Sequence, residues 1–211
     1  MRKGELVVLG IIILSFIVGI YFYPQMPERM ATHWNAKGQV DGYMSRLWGS
    51  FILPLILLPI ILLFLVIPRI DPLRANIEKF RKYYDGFIIL FSIFMLALQL
   101  QVIFWNIGVK VSPNVILPIA LGLLFYYLGI LIENAKRNYF IGIRTPWTLN
   151  SDAVWDKTHK VGGKLFKIAA VVTLIGALFP DYAFLFILVP VLIVAVYTTI
   201  YSYLQYRREP G

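Results

Sequence analysis

Cysteine is absent from this 211-residue chain, and histidine occurs only twice, at His33 and His159. The lack of cysteine excludes disulfide bonds, iron–sulfur clusters and metal sites with thiolate ligands. A zinc site normally takes three or four side-chain ligands, and the two histidines lie in different loops without a His-Glu-x-x-His sequence. We therefore predict neither a bound metal nor a cofactor.

Charged residues are missing from the central parts of six long segments. These segments are Leu6–Tyr23, Gly49–Ile67, Gly86–Asn106, Asn114–Ile132, Leu165–Phe179 and Ala183–Tyr203. Each has roughly the length that a helix needs to cross a hydrocarbon core about 30 Å thick. A soluble domain could not hide a chain that is 59% hydrophobic, because its surface would be too apolar to stay dissolved. The sequence therefore predicts an integral membrane protein.

Basic residues are distributed unevenly among the connecting segments. Sixteen of the 20 Lys and Arg residues lie at the two termini and in the second and fourth loops, and four lie in the other loops. Because loops rich in Lys and Arg stay in the cytoplasm, we predict that both termini are cytoplasmic. The basic excess then points to anionic lipids on the cytoplasmic side, and direct binding of nucleic acid is not needed to explain it.

These patterns predict an all-α integral membrane protein with six transmembrane helices, an N-in/C-in topology, a small extracellular hairpin-like loop and a cytoplasmic amphipathic helix. We divide the chain into residues 1–67, a two-span unit with an outside loop at 24–48, and residues 68–113, a cytoplasmic connection and the third span. Residues 114–211 form a three-span unit with an inside loop at 133–164. The first apolar run offers no small-residue cleavage site, so we interpret it as an uncleaved signal anchor.

The main polar side chains within the spans are Gln99, Gln101 and Asn106 in the third segment. We predict that they form interhelical hydrogen bonds, which are a common use of amides in membranes. Ion and proton pumps normally need acidic or basic groups at depth, and the central parts of the spans contain none.

The outside loop has the pattern of a β-hairpin. Ala31–Asn35 and Gln39–Tyr43 flank Ala36-Lys37-Gly38, a three-residue connection with glycine at the position that favours left-handed backbone angles. Pairing of Asn35 with Gln39 would place His33 directly opposite Asp41. Before the hairpin, Pro27 predicts a short helical turn through Met30.

The pair of His33 and Asp41 has three interpretations: a structural lock that fixes the loop, a contact with a ligand or partner, and a catalytic dyad. We favour the lock, because no nucleophile or further metal ligand accompanies the pair. The candidate binding residues outside are His33, Trp34, Asn35 and Asp41. Trp34, Tyr43 and Trp48 also fit the aromatic belt at a membrane interface.

The inside loop has the densest group of polar residues in the chain. Ser151 is a good N-cap for a short amphipathic helix to about Val161, and Gly162-Gly163 separates this helix from the fifth span. A helix lying on anionic lipid would explain its lysines, but not the short polar groups before it. The candidate binding residues of this loop are Asn138, Gly142, Arg144, Thr145, Pro146, Trp147, Thr148, Trp155, Thr158 and His159. We expect Arg144 to be largely buried and hydrogen-bonded, because its guanidinium is a planar fork of donors.

Two parts of the chain resemble known sequences. The stretch from Asn138 to Leu149, followed by Val154–His159 and Gly162-Gly163, resembles the C-terminal signature of the SdpI family of membrane proteins. The outside stretch Met26–Asn35, with Gly38, Asp41-Gly42 and Tyr43 after it, resembles the N-terminal domain of unknown function that usually accompanies this signature.

The resemblance implies an immunity and signalling protein of the plasma membrane. It implies that the chain senses or neutralises an extracellular peptide toxin of the Sdp type at its outside loop, and that its inside loop relays the signal to a cytoplasmic repressor. It supplies no set of catalytic residues.

Two other classes of function stay open on the sequence alone. One is a membrane-embedded enzyme that acts on lipid or peptide, with its site at the pair of His33 and Asp41 or at Asn138, Arg144, Thr148 and His159. The other is a small-solute transporter, against which the lack of an internal repeat and of buried charge both count.

Overall fold

The computed structural model describes residues 2–209 of the chain. In chain order its elements are α1 (Lys3–Phe22), β1 (Arg29–Trp34), β2 (Val40–Ser45), α2 (Arg46–Ile70), α3 (Arg74–Lys79), α4 (Arg81–Asn106), α5 (Pro113–Asn134), α6 (Pro146–Asn150), α7 (Asp152–Ile175) and α8 (Ala183–Arg207). Within these described residues, six helices are long and apolar enough to cross a membrane, namely α1, α2, α4, α5, α7 and α8. The predicted all-α, six-span membrane fold is thereby confirmed.

The six long helices pack as two groups of three. Helices α1, α2 and α4 contact one another, α7 packs against both α5 and α8, and α4 joins the groups by packing on α5. Apolar side chains such as Ile12, Leu57 and Ile88 fill the first group. The most extensive contact of the second group, between α5 and α7, instead runs through glycines. Large apolar side chains on the outer faces remain exposed, as expected for surfaces that meet lipid.

Hydrogen bonds tie the loops together at each end of the bundle. At one end Asn76 donates to the carbonyl of Arg137 at 2.9 Å, and Ser151 donates to the carboxylate of Glu209 at 2.7 Å. At the other end Asn114 donates to the carbonyls of Ala36 at 2.9 Å and Pro180 at 2.8 Å. The second and fourth loops and the C-terminal end thus share one end, which we name the inner end. The remaining loops share the outer end, and the orientation of the two ends in the membrane stays a prediction from charge.

The predicted boundary between an amphipathic helix and the fifth span is wrong. Helix α7 runs without interruption through Gly162 and Gly163. A Cβ atom on Gly163 would lie 2.6 Å from the carbonyl oxygen of Gly129, and one on Gly162 would collide with the side chain of Ile143. The two glycines therefore allow α5 and the inside loop to approach α7 closely, and they do not act as a hinge.

The predicted helical turn at Pro27 is also wrong. A short 3₁₀ helix over Tyr23–Gln25 comes earlier, and β1 begins at Arg29. The backbone N–H of Arg46 donates to the carbonyl of Glu28 at 3.0 Å, which extends the strand pairing. The extended backbone also buries Met30 completely against Gly49, so burial of an apolar side chain overrides the local preference for a turn.

The three side-chain amides of α4 bind different parts of the molecule: one bonds neighbouring spans and two bond outer loops. Gln99 donates to the carbonyls of Ser15 at 2.9 Å and Ser50 at 3.2 Å, which confirms the predicted interhelical hydrogen bond for this residue. Gln101 donates to the carbonyl of Val111 at 2.7 Å, and Asn106 binds β1. These two amides hold the outer loops in place, so the prediction of a bond to another span is wrong for them.

Candidate functional site

The side chain of Asn138 holds the start of the inside loop in a tight, hydrogen-bonded turn. Its side-chain nitrogen donates to the carbonyls of Lys136 and Ile141, both at 2.8 Å. Its side-chain oxygen accepts from the backbone N–H groups of Phe140 at 2.9 Å and Ile141 at 2.6 Å. All four hydrogen-bonding positions of the amide are thus filled by the loop itself, and the side chain is fully buried.

Trp155 and His159 lie under this turn, on the buried face of α7. The indole N–H of Trp155 donates to the carbonyl of Ala135 at 2.9 Å, and the two rings stack with their centroids 3.9 Å apart. The Nε2 atom of His159 accepts the backbone N–H of Ile143 at 3.0 Å. Its Nδ1 atom must then carry the proton and donates to the carbonyl of Trp155 at 2.9 Å. The imidazole is therefore neutral here, and both of its nitrogen atoms are occupied.

Gly142 forms the turn between Asn138 and the following polar residues. Its φ is +117°, a backbone conformation that glycine adopts without steric cost. A Cβ atom at this position would also collide with the Nε2 atom of His159. Backbone conformation and close packing both require glycine at this position.

Thr145 and Thr148 cap the short helix α6. Thr148 receives the N–H of Thr145 at 2.9 Å and donates to the carbonyl of Ile143 at 2.8 Å. The hydroxyl of Thr145 accepts the N–H of Thr148 at 3.2 Å and pairs with the hydroxyl of Ser202 on α8 at 2.9 Å. This reciprocal cap fastens the loop to the last span.

The remaining predicted residues of the inside loop do not join this network. Arg144 is exposed and donates to the carbonyl of Tyr139 at 2.7 Å. The expected burial of Arg144 is therefore wrong, because uncharged Asn and Thr side chains already satisfy the buried backbone groups. Pro146 is exposed, Trp147 packs against the ring of Tyr203 at 5.1 Å, and the buried hydroxyl of Thr158 has no partner within residues 2–209.

The sequence analysis missed Asp71, which joins the second loop to the fourth. Its carboxylate is buried and accepts the backbone N–H groups of Leu73 at 2.6 Å and Tyr139 at 2.9 Å. An aspartate that follows a span and precedes a proline is a frequent start of an Asx turn, and this signal could have identified it. We use the name inner knot for the residues that form this packed, hydrogen-bonded cluster at the inner end: Asp71, Asn138, Gly142, Thr145, Thr148, Trp155 and His159.

At the outer end, the predicted hairpin is confirmed. The N–H of Asn35 donates to the carbonyl of Gln39 at 2.9 Å, and Gly38 has a φ of +74°. The predicted backbone register is confirmed at Trp34, which pairs with Val40, and at Ala31, which pairs with Tyr43, but it is wrong at His33, whose partner is Gly42 and on both sides of which the pairing is irregular. Such a bulge redirects side chains.

The bulge still brings the side chains of His33 and Asp41 together. The Nδ1 atom of His33 lies 2.5 Å from a carboxylate oxygen of Asp41, and the two side chains are 73% and 43% exposed. Because solvent screens exposed ion pairs, the interaction contributes little stability. A lock of the hairpin and a contact for an external ligand both fit this geometry.

Two asparagines outside the hairpin hold it on the bundle. Asn106 accepts the backbone N–H of Ala31 and donates to the carbonyl of the same residue, both at 2.9 Å. Asn114 holds the tip through the carbonyl of Ala36 at 2.9 Å. Between these two attachments, the ring of Trp34 packs edge-on against Trp105 at 5.4 Å.

A cavity of about 500 Å³ opens beneath the hairpin. It is enclosed by the hairpin and the outer halves of α2, α4, α5 and α8, and its lining residues are Thr32, His33, Trp34, Asn35, Ala36, Leu53, Leu98, Gln101, Val102, Pro113, Asn114, Leu117, Pro118, Ala183, Phe184 and Ile187. Three of the four predicted outside residues, His33, Trp34 and Asn35, therefore share one cavity, and Asp41 is reached through His33. Within residues 2–209 no group of three or more His, Asp and Glu residues has the arrangement of a metal site.

Comparison with known proteins finds matches to family models in two separate parts of the chain. The model of the SdpI/YfhL protein family matches residues 134–202, and the model of a domain of unknown function (DUF1648) matches residues 10–69. The immunity protein SdpI of Bacillus subtilis (strain 168) is 26% identical over 210 residues, which cover 99% of each chain. No solved structure matches.

Proposed function

The chain belongs to the SdpI/YfhL family of membrane proteins, and on that premise we propose that it is an immunity protein of the plasma membrane that protects the cell from an extracellular peptide toxin. The observation that carries the proposal is the similarity to an immunity protein along 99% of both chains. A similarity of this extent includes the outer hairpin, the six spans and the inner knot. It therefore relates the two proteins as whole molecules.

The outer end is the side on which such a toxin would be met. It presents the exposed pair of His33 and Asp41 and the cavity beneath the hairpin. The inner knot is unsuited to catalysis, because the side chains of Asn138 and His159 are occupied by backbone groups of the same loop. This geometry favours protection by binding over protection by destruction of the toxin.

The inner end is the side from which a signal would pass to a cytoplasmic repressor. Tyr139, Phe140 and Arg144 are exposed there beside the knot. Lys157, Lys160 and Lys164 are exposed on α7, spaced by three and four residues so that they share one face. This face combines exposed aromatic rings with positive charge, which suits either an acidic protein surface or anionic lipid headgroups.

Protection of a sensitive cell tests the proposal. A Bacillus strain without its own immunity protein should survive treatment with the Sdp toxin when it produces this chain. A Gly163→Leu variant is the folding-defective control, because a larger side chain would collide with Gly129 and Glu133 of α5. Equal killing of cells with and without the chain, at a membrane level shown by immunoblot, would refute the immunity function.

The relay has a separate test. A fluorescently tagged repressor of the Sdp system should move to the membrane when toxin is added to cells that produce the chain. Replacement of Phe140 and Arg144 by alanine should reduce this recruitment while protection persists. A repressor that stays in the cytoplasm would leave immunity standing and refute the relay.

A further inference from the structure

We propose that Arg46 and the seam between α1 and α2 bind one phospholipid of the leaflet at the outer end, with the lipid phosphate on the guanidinium and an acyl chain against the aromatic rings below it. The site lies on the outside of the bundle and does not include the cavity beneath the hairpin. It is independent of the proposed immunity function, so either can fail without the other.

Arg46 is a cation at the outer end without an acidic partner. It is the first residue of α2, where the span meets the hairpin. Its guanidinium carbon lies 5.7 Å from the centroid of the Tyr23 ring, and none of the ion pairs within residues 2–209 includes it. A cation–π contact leaves the N–H donors at the edge of a guanidinium unused. Arg46 can therefore offer both charge and hydrogen-bond donors to an anion.

The terminal nitrogens of Arg46 are the atoms that a ligand can reach. Of its three side-chain nitrogens, only Nε is both buried and without an acceptor, and the side chain as a whole is partly exposed. Glu28 lies beside Arg46, since its backbone carbonyl accepts the N–H of Arg46 at 3.0 Å. The side chain of Glu28 is exposed, however, and is not paired with the guanidinium. An anion from outside the chain thus has access to the two Nη atoms.

A column of aromatic rings leads from Arg46 towards the middle of the membrane. The ring of Tyr23 packs on Phe51 of α2 at 6.0 Å, and Phe51 stacks on Phe16 of α1 at 6.4 Å. Gly19 lets the two helices come this close, because a Cβ atom there would lie 2.7 Å from the ring of Phe51. Tyr23 and Phe16 are seven residues apart, which corresponds to about 10 Å along a helix. The column therefore extends from the level of the lipid headgroups to the level of the acyl chains.

The column borders the surface of the bundle that meets lipid. Its three rings are partly exposed. Ile17 and Ile20 on α1, and Leu47 and Leu55 on α2, lie within one turn of the column and are exposed. These side chains continue the apolar outer faces of both helices without a break. Phospholipid is the solvent of such a surface, so it reaches the site without having to displace another ligand.

A phospholipid matches both parts of the site. Guanidinium forms strong, often bidentate hydrogen bonds to phosphate oxygens, and an acyl chain gains van der Waals contacts in the seam. A free phosphate would use only the guanidinium and leave the column uncovered. A peptide would first have to displace the lipid that lies on this face. One cation above one apolar column therefore specifies a ligand with one anionic group and a long apolar chain.

Photolabelling tests the site. The purified chain is kept in maltoside micelles, which contain no phosphate, and receives phosphatidylglycerol with a diazirine on one acyl chain. Mass spectrometry then locates the label. Arg46→Gln removes the charge. Arg29→Gln is the matched control, because Arg29 also lies over a tyrosine, 5.5 Å from the ring of Tyr43, but on the exposed hairpin strand β1.

The unmodified chain should take up label in residues 16–23 and 47–55. Arg46→Gln should reduce this labelling about tenfold, the effect of losing a hydrogen bond to a charged group. Labelling of α7, which has exposed lysines at the inner end, should stay unchanged and thereby shows that the variant is folded. Arg29→Gln should change neither segment. Equal labelling of the α1–α2 seam in Arg46→Gln and in the unmodified chain would overturn the proposal.

Three further probes identify the source of the binding. Diacylglycerol with the same photoreactive chain should label the seam no better than phosphatidylglycerol labels Arg46→Gln, and labelling as strong as that of the unmodified chain would exclude a role for the phosphate. Glycerol phosphate should not compete with the lipid, and competition at equal concentration would reduce the site to a simple anion site. Displacement of the lipid by an equal amount of an apolar peptide with a free carboxylate would overturn the proposal in favour of a peptide site.

Discussion

The inner knot and the outer hairpin use similar polar residues in opposite ways. Asn138, Thr148 and His159 of the knot are buried, and their hydrogen bonds all lie within the protein. At the outer end, the pair of His33 and Asp41 is exposed, and a buried indole N–H of Trp34 lacks an acceptor in the described residues. The comparison teaches that the densest polar sequence of this chain builds a scaffold, whereas the open space lies under the loop with fewer polar residues.

The largest expected effect concerns the orientation of the chain in the membrane. The comparison assumes that the outer hairpin and the inner knot lie on opposite sides of the membrane. The chain has no cysteine, so Lys37→Cys and Lys157→Cys each introduce one thiol at an exposed position. The positive-inside rule predicts that an impermeant thiol reagent labels intact cells at residue 37 and only opened cells at residue 157. Labelling of both variants from the same side would remove the assignment of a toxin-facing and a cytoplasmic end.

Removal of the Asn138 side chain from the knot should be strongly destabilising. Asn138→Ala leaves two carbonyls and two backbone N–H groups of a buried turn without partners. With about 1–3 kcal/mol for each unsatisfied buried group and partial relaxation, we expect a loss of roughly 3 kcal/mol in the free energy of unfolding. Denaturation in mixed micelles measures it.

Asn150→Ala is the matched control for that change. Asn150 lies in the same loop at the end of α6 and is exposed, so its replacement should change the free energy of unfolding by less than about 0.5 kcal/mol. Equal stability of the two variants would show that the knot is not the scaffold that its hydrogen bonds suggest.

Replacing each of two glycines by alanine should distinguish the cost of backbone strain from the cost of steric crowding in the knot. Gly142 and Gly108 both have positive φ, +117° and +103°, but only an added Cβ on Gly142 would meet other atoms, chiefly His159. Gly108→Ala should cost roughly 1 kcal/mol from backbone strain alone. Gly142→Ala should cost about 1–3 kcal/mol more from overpacking. Equal losses in thermal unfolding experiments would mean that the ring of His159 moves aside.

The sequence predicts the large features of this fold because they follow from solvent physics. Six apolar segments and the Ala36-Lys37-Gly38 turn identify the spans and the hairpin through hydrophobic length and backbone preference. The roles of Arg144 and of Gly162-Gly163 could not be read in the same way. Whether a guanidinium is buried, or a glycine acts as a hinge or a close contact, depends on which neighbour already occupies the space, and that neighbour is distant in sequence.

The candidate site, like the fold, was predictable from the sequence only where local composition decides the structure. The composition of the inside loop indicated an ordered element, and the loop is ordered. Its neutral amides and hydroxyls satisfy the backbone groups of the loop, so no acceptor remains for a buried Arg144. The cavity is invisible in the sequence, because its walls come from the hairpin and four spans. Its one sequence-level sign is Trp34 beside Asn35, and even that pair has the composition of a membrane interface.

The pair of His33 and Asp41 should contribute little stability even though its atoms are 2.5 Å apart. A double-mutant cycle with His33→Ala and Asp41→Ala should give a coupling of about 0.2–1 kcal/mol, the range of exposed ion pairs. A lock of the hairpin predicts that toxin protection falls only as far as stability falls. A loss of protection at unchanged stability would assign the pair to ligand contact.

The smallest effect is expected at Arg144, the member of the inside loop whose predicted burial is wrong. Its contact with Tyr139 is a single bond from Nη1 at 2.7 Å on an exposed side chain, and a lysine can also donate to that carbonyl. Arg144→Lys should therefore change the free energy of unfolding by less than about 0.5 kcal/mol and leave toxin protection intact. Unfolding and survival assays on the same preparation, with Lys160→Gln as the control, check both expectations. If protection or repressor recruitment falls while stability holds, the planar guanidinium binds something that an ammonium cannot, and the inner end contains a binding site beside its scaffold.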